Sequence, residues 1–146
     1  MAWLDETTRA AFVGDATGER FPDTTMVIPV TPPPDIDVEA MLTSTAAIRD
    51  WNPSQLFLTH FGPFHDVARH LDDHDARLRR WSARVEAECG ADHDEQARAD
   101  AFAEDFLREY SAHLPPGMPM PVHPDGVRAS WAGLARYHRK RAEASR

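Results

Sequence analysis

Phe12-Val13-Gly14-Asp15-Ala16-Thr17-Gly18 and Leu56-Phe57-Leu58-Thr59-His60-Phe61-Gly62-Pro63 share one grammar: a short apolar run of strand type stops at a turn carrying a side chain with lone pairs to donate. In the first stretch two glycines bracket an acid and a threonine, so the chain can turn where φ is positive and bring its backbone close to a bound group. In the second, Gly62-Pro63 forces a turn behind His60. Ligands of α/β folds gather outside the carboxyl ends of strands, which makes Asp15 and His60 the candidate site residues. A carboxylate and an imidazole both suit zinc or a similar metal, and a carboxylate can also bridge two ions. Two protein ligands are a thin shell, because catalytic zinc takes three and an open position. The same residues also read as an Asp capping its own turn and a structural histidine.

Working outward, residues 2–5 and 9–13 read as two short strands joined through Glu6, Thr7 and Thr8, a connection of hairpin length. Thr25 to Val30 has strand propensity and stops at Pro32-Pro33-Pro34, which enforces an extended, stiff segment. Beyond it, Asp35 or Asp37 can cap a helix over 38–50, ended by Trp51-Asn52-Pro53. The apolar period then lengthens. Val67, Leu71, His74, Leu78, Trp81 and Val85 form one stripe of a helix over 64–88. Phe102, Phe106 and Tyr110 do the same over 92–112, and Val127, Trp131, Leu134 and His138 over 125–142. Pro115, Pro116, Pro119, Pro121 and Pro124 make the link between these last two helices stiff. Trp81, Phe106 and Trp131 are the expected large anchors of helix packing.

Composition sets the outer bounds. A chain of 146 residues supports one core rather than two independent domains. No apolar run approaches the length of a membrane helix, and Met1-Ala2-Trp3-Leu4-Asp5-Glu6 lacks the basic and apolar regions of a secretory leader, so a cytoplasmic location is expected. A formal net charge of −8 argues against a nucleic-acid footprint. The basic run from Arg136 to Arg141 reads as a solvated cationic helix end that suits the helix dipole. Cys89, the single cysteine, sits beside Gly90 where a helix ends and has no neighbour to activate its thiol. No residue is assigned a catalytic role.

Four stretches, Phe12–Gly18, Thr31-Pro32-Pro33-Pro34-Asp35, Leu56–Pro63 and Gly133-Leu134-Ala135-Arg136-Tyr137, taken in order and spacing, resemble the C-terminal half of a metallo-β-lactamase-fold metallohydrolase from a bacterial branch with a helical tail. The resemblance covers nearly the whole chain, and Ala2-Trp3-Leu4-Asp5 is similar to the strand that follows the family's third metal-binding histidine. It implies that Asp15 is the acid bridging two metals and that His60 is the last metal-binding histidine. The family's His-x-His-x-Asp-His cluster belongs to its first half and lies outside this chain. His65, His70, His74 and His93 do not reproduce its spacing. Asp66 with His70, and His70 with His74, stand four apart as an accessory metal pair would, yet also read as a partly buried histidine beside a solvated acidic face. His113, His123 and His138 read as surface or packing residues.

The expected fold is thus α/β: one half of an α/β-β/α sandwich over 1–62, with a helical extension over 63–146. The expected role is that of a fragment or split part of a zinc-dependent hydrolase, inactive alone, with zinc, in a mono- or dinuclear site, held only when the missing half is present. A truncated gene, a split enzyme and a degenerate homologue acting as a noncatalytic interaction module are the alternatives. A half-sandwich leaves the inner face of its sheet uncovered, and Trp3, Phe12, Phe57 and Leu58 are expected there, so the missing half or self-association is the expected partner.

Overall fold

The computed structural model describes residues 1–89 and 94–145, and it is a mixed α/β chain with a small sheet and four helices. In order these are β1 (Trp3–Asp5), β2 (Ala10–Gly14), α1 (Val38–Asp50), β3 (Gln55–Leu58), α2 (Val67–Glu88), α3 (Glu95–Ser111) and α4 (Pro124–Ala144). None of these helices is long and apolar enough to cross a membrane. The chain forms two compact units, Met1–Val30 with Val38–Arg79, and Thr31–Asp37 with Arg80–Arg146. The division runs through α2, so residues 63–79 belong with the sheet. Gly90 and His93 lie outside the described residues.

In the first unit the sheet order is β1-β2-β3, antiparallel and then parallel. Alternation along the strands separates two faces. One face carries Ala11, Val13, Leu56 and Leu58, which pack with Ile48 of α1, Phe64 and Leu71 of α2 as the core. The other carries Trp3, Phe12 and Phe57, which stand opposite one another in the register and stack with centroids 5.2 and 4.9 Å apart. Trp3 is 59% and Phe12 41% exposed, so a row of cross-strand aromatic rings faces solvent. Leu58 is not part of it: one residue past Phe57, it turns to the core. Thr25–Val30 forms no strand, although it is mostly buried; only Ile28 pairs, as an isolated bridge with Glu19.

In the second unit Trp81 sits edge-on to Phe102 and Phe106, at 4.9 and 5.2 Å, and Phe106 leans on Tyr110. Trp81, Phe106 and Trp131 are all buried. Asp94 caps α3 by accepting from the Gln96 and Ala97 backbone N–H groups. Pro124, rather than closing the link, opens α4 at its first turn, where a missing N–H costs nothing, and His123 caps it. The basic run is not simply solvated. Arg136 donates to the Pro34 carbonyl, Lys140 pairs with Asp35 at 2.7 Å, Arg139 pairs with Glu95, and Arg141 donates to the Tyr137 hydroxyl. The first two contacts tie the proline segment to α4. Beside them, a Cβ on Gly133 would stand 2.0 Å from the Thr31 carbonyl oxygen.

Two effects therefore compete in Gly133→Ala. Helix propensity favours alanine by about 1 kcal/mol, whereas forcing a methyl group into backbone costs about 1–3 kcal/mol or more. Because the obstructing atoms are backbone, crowding wins: denaturant unfolding is expected to show a net loss of about 1–2 kcal/mol, and a gain would refute the close approach.

Candidate functional site

Asp15 and His60 come to the same end of the sheet, past the carboxyl ends of two adjacent strands. β2 and β3 run parallel with Gly14 opposite Leu58, so Asp15 leaves one residue and His60 two residues beyond paired positions. The register slips between Phe12 and Gly14, and Gly14 has φ +57°. This is a bulge with a left-handed glycine, a device that bends a strand end and re-aims the next side chain, here Asp15. Beyond β3 the chain doubles back at once: Leu56 and Phe64 exchange backbone hydrogen bonds of 2.8 and 2.9 Å, leaving His60 near the tip of the turn. Its neighbour Phe61 has φ +64°, a region costly for a bulky residue, and its ring lies tilted against Phe21 with centroids 4.5 Å apart. Both Asp15 and His60 are exposed.

The residue that sequence reasoning passed over is Glu19. Its backbone pairs in both directions with Ile28, at 2.9 and 2.8 Å, which fixes its place after the Asp15–Gly18 turn. Burial raises its carboxyl above the ordinary range, the His60 ring opposes that rise, and the Asp15 charge adds to it. Glu19 thus senses both predicted site residues. Its only sequence signal is a position just past Gly18. Among the described residues no group of three or more histidine, cysteine or acidic side chains is arranged to hold a metal ion. Asp15 and His60 are chemically suited to zinc, but they supply two donors of the four it takes.

Behind this end of the sheet lies a polar interior. Arg20 is buried, grips Asp66 through both carboxylate oxygens at 2.8 and 3.0 Å, donates to the Thr24 carbonyl and lies 4.5 Å over the Phe64 ring. Arg69 takes the second Asp66 oxygen at 2.6 Å. His70 and His74 are completely buried rather than partly so. The His70 Nε2 lies 2.9 Å from the Thr17 carbonyl and His74 Nδ1 3.1 Å from Asp75. The acids of this helix are not a merely solvated face either: Asp73 accepts from the Val27 backbone N–H at 2.7 Å, and Asp75 from the Thr45 hydroxyl at 2.8 Å. Asp66, the His70 Nε2 and the His74 Nδ1 are thus already engaged within the fold.

A second polar chain, Ser82 Oγ to His138 Nε2 at 2.9 Å and His138 Nδ1 to Glu86 at 3.7 Å, has the connectivity of a hydrolytic triad. It lacks the rest. Ser82 is buried in the interior of α2, where backbone N–H groups are spent within the helix and none is left to stabilise an oxyanion. His138 is a packing residue. Cys89 borders a hollow of about 310 Å³ with Glu86, His138 and Arg139, and burial pushes its thiol up, away from the reactive thiolate. His113 is exposed.

No protein-family model, curated protein or solved structure matches this chain.

The Arg20–Asp66–Arg69 cluster carries a stability signature. Burial alone would raise the Asp66 carboxyl, but its bonds to Arg20 and Arg69 outweigh that and hold it at about 2. A depressed carboxyl stabilises the fold above its ordinary range and loses that contribution as pH falls towards 2. Asp66 is 40% exposed, so solvent screening limits the effect. Asp66→Asn is expected to cost about 1–2 kcal/mol at neutral pH. The gap from wild type should stay constant down to about pH 4 and narrow below it, as measured by urea midpoints across pH.

Proposed function

We propose that this chain supplies one side of a zinc-dependent hydrolytic centre of the metallo-β-lactamase type, with Asp15 and His60 as its metal ligands. The observation that carries this reading is the parallel β2–β3 pair, whose carboxyl ends lead directly into Asp15 and His60. The bulge at Gly14 supports it, since a bulge at a strand end is a common way to present a site residue. When bound, zinc supplies Lewis acidity for the hydrolysis of a polarised carbonyl or phosphoryl group. Two donors do not make such a centre. The remaining ligands come from a partner polypeptide segment that carries a histidine cluster and an apolar sheet face.

That partner segment covers the Trp3–Phe12–Phe57 row. The row lies on the face opposite the core of the first unit, and two sheets packed face to face at about 10 Å would bury it. In this reading the finer fold is one half of an α/β-β/α sandwich. The same exposed row also suits a second reading, in which the chain is a noncatalytic interaction module built on that fold.

Metal stoichiometry separates them. Alone, the chain is expected to retain less than one zinc ion per molecule and to hydrolyse no ester, thioester or lactam above background. With a histidine-bearing partner segment, added separately or fused, occupancy should approach two ions and activity should appear. Asp15→Asn or His60→Ala should then lower occupancy and rate together while leaving association intact. Association without metal or turnover would favour the interaction module. Two ions and turnover in the lone chain would place the ligands elsewhere and sink both readings.

A further inference from the structure

We propose that His70 is an acid-sensitive latch on the loop that carries Asp15: the neutral ring stays buried and donates to the Thr17 carbonyl, whereas the protonated ring is drawn out to solvent by the cost of burying its charge and frees the loop. The geometry begins with tautomers. The Thr17 carbonyl can only accept, so the His70 Nε2 carries the proton and donates at 2.9 Å, which leaves Nδ1 as a bare acceptor. That Nδ1 is buried and has no hydrogen-bond partner among the described residues. An added proton must land there, on a buried atom with no acceptor among the described residues. Such a proton costs far more than one on an exposed imidazole.

The surroundings make the charge less welcome still. From the loop side His70 faces Arg20, whose guanidinium is buried against Phe64, the ring that also stacks on His70 with centroids 6.0 Å apart. At the foot of α2 it faces Asp66, but both carboxylate oxygens are already taken by Arg20 and Arg69. One turn along α2 it faces His74, whose Nδ1 is committed to Asp75, itself bonded to Thr45 of α1. The Asp66 charge favours a proton on His70, but burial outweighs it. Burial therefore depresses the His70 imidazole to about 4, the Thr17 bond pulls the other way, and Arg20 and His74 add to the depression.

Loop and latch are tightly coupled. Thr17 is completely buried, its hydroxyl also lacks a partner among the described residues, and the next residue, Gly18, has φ +76°. A Cβ there would stand 2.5 Å from the Ile28 carbonyl oxygen and 3.1 Å from His74 Cδ2. The loop thus sits against the histidines with no room for a side chain, and it rests on a ring whose burial is sensitive to charge. Because the imidazole is depressed in the closed state, the closed loop is fully favoured above about pH 6.5 and loses its advantage as pH falls towards 4.

The test needs no metal. Amide exchange of Ala16 and Gly18, which donate to the Val13 and Asp15 carbonyls, is followed by NMR and corrected for intrinsic chemical rates. Between pH 7 and 4.5 their protection should drop at least about tenfold, the scale set by the depressed imidazole, while amides of α3 hold theirs. In His70→Gln, whose amide can still donate to Thr17 but cannot titrate, the drop should vanish. An equal drop in the variant, or none in wild type, overturns the latch. If the variant does not fold, the ring nitrogens of the wild-type chain decide. An Nε2–H tautomer at pH 7 whose titration midpoint coincides with loop release supports the latch, and an Nδ1–H tautomer or a midpoint near 6.5 overturns it.

Discussion

Parallel pairing between β2 and β3 is the constraint on which the rest of the first unit depends. Parallel strands cannot be joined by a tight turn, so the chain between them must leave the sheet and return, and here it does so through the Asp15 loop, the buried Met26–Ile28 segment and α1. The return brings two carboxyl ends side by side, with Gly14 opposite Leu58. It also divides the apolar residues between faces, so that Ala11, Val13, Leu56 and Leu58 reach the core while Phe12 and Phe57 cannot. Reversing β3 would break both arrangements at once.

What the sheet arranges, the polar interior holds. A loop between Gly14 and Arg20 has little apolar surface of its own, and its order comes from hydrogen bonds made at depth: the Thr17 carbonyl to His70, Arg20 to Asp66 and Thr24, Glu19 to Ile28. Buried hydrogen bonds are worth most as a complete set, since a partner lost in low dielectric leaves a group that water cannot reach. The set is nearly complete around Arg20 and incomplete around Thr17, His70 and His74, each of which keeps one buried polar atom without a partner among the described residues. The least satisfied part of the interior therefore lies under the loop that presents Asp15.

The aromatic row on the open face shows why a local rule is insufficient. Trp3, Phe12 and Phe57 come from three strands, and stacking them requires both registers to be right, since a slip of one residue would turn each ring to the other face. Leu58 belongs with them on hydrophobicity alone and fails on parity. Thr25–Val30 has strand propensity but finds no neighbouring strand along its length, and propensity without a partner does not make a sheet.

Sequence by itself determined the helices, because a stripe recurring every three to four residues has one way to be buried. All four stand within about three residues of their expected bounds, and the anchors Trp81, Phe106 and Trp131 are buried as the stripes require. It also singled out Asp15 and His60 through the turns that follow two apolar runs. Only the tertiary structure decided that those runs are adjacent and parallel, that Glu19 joins them, that the basic run clasps the proline segment, and that His70 belongs to the Asp15 loop. Each of these is a contact between residues far apart in the chain. Local propensity and spacing carry no record of it, because its energy exists only once both ends of the intervening chain have been brought together.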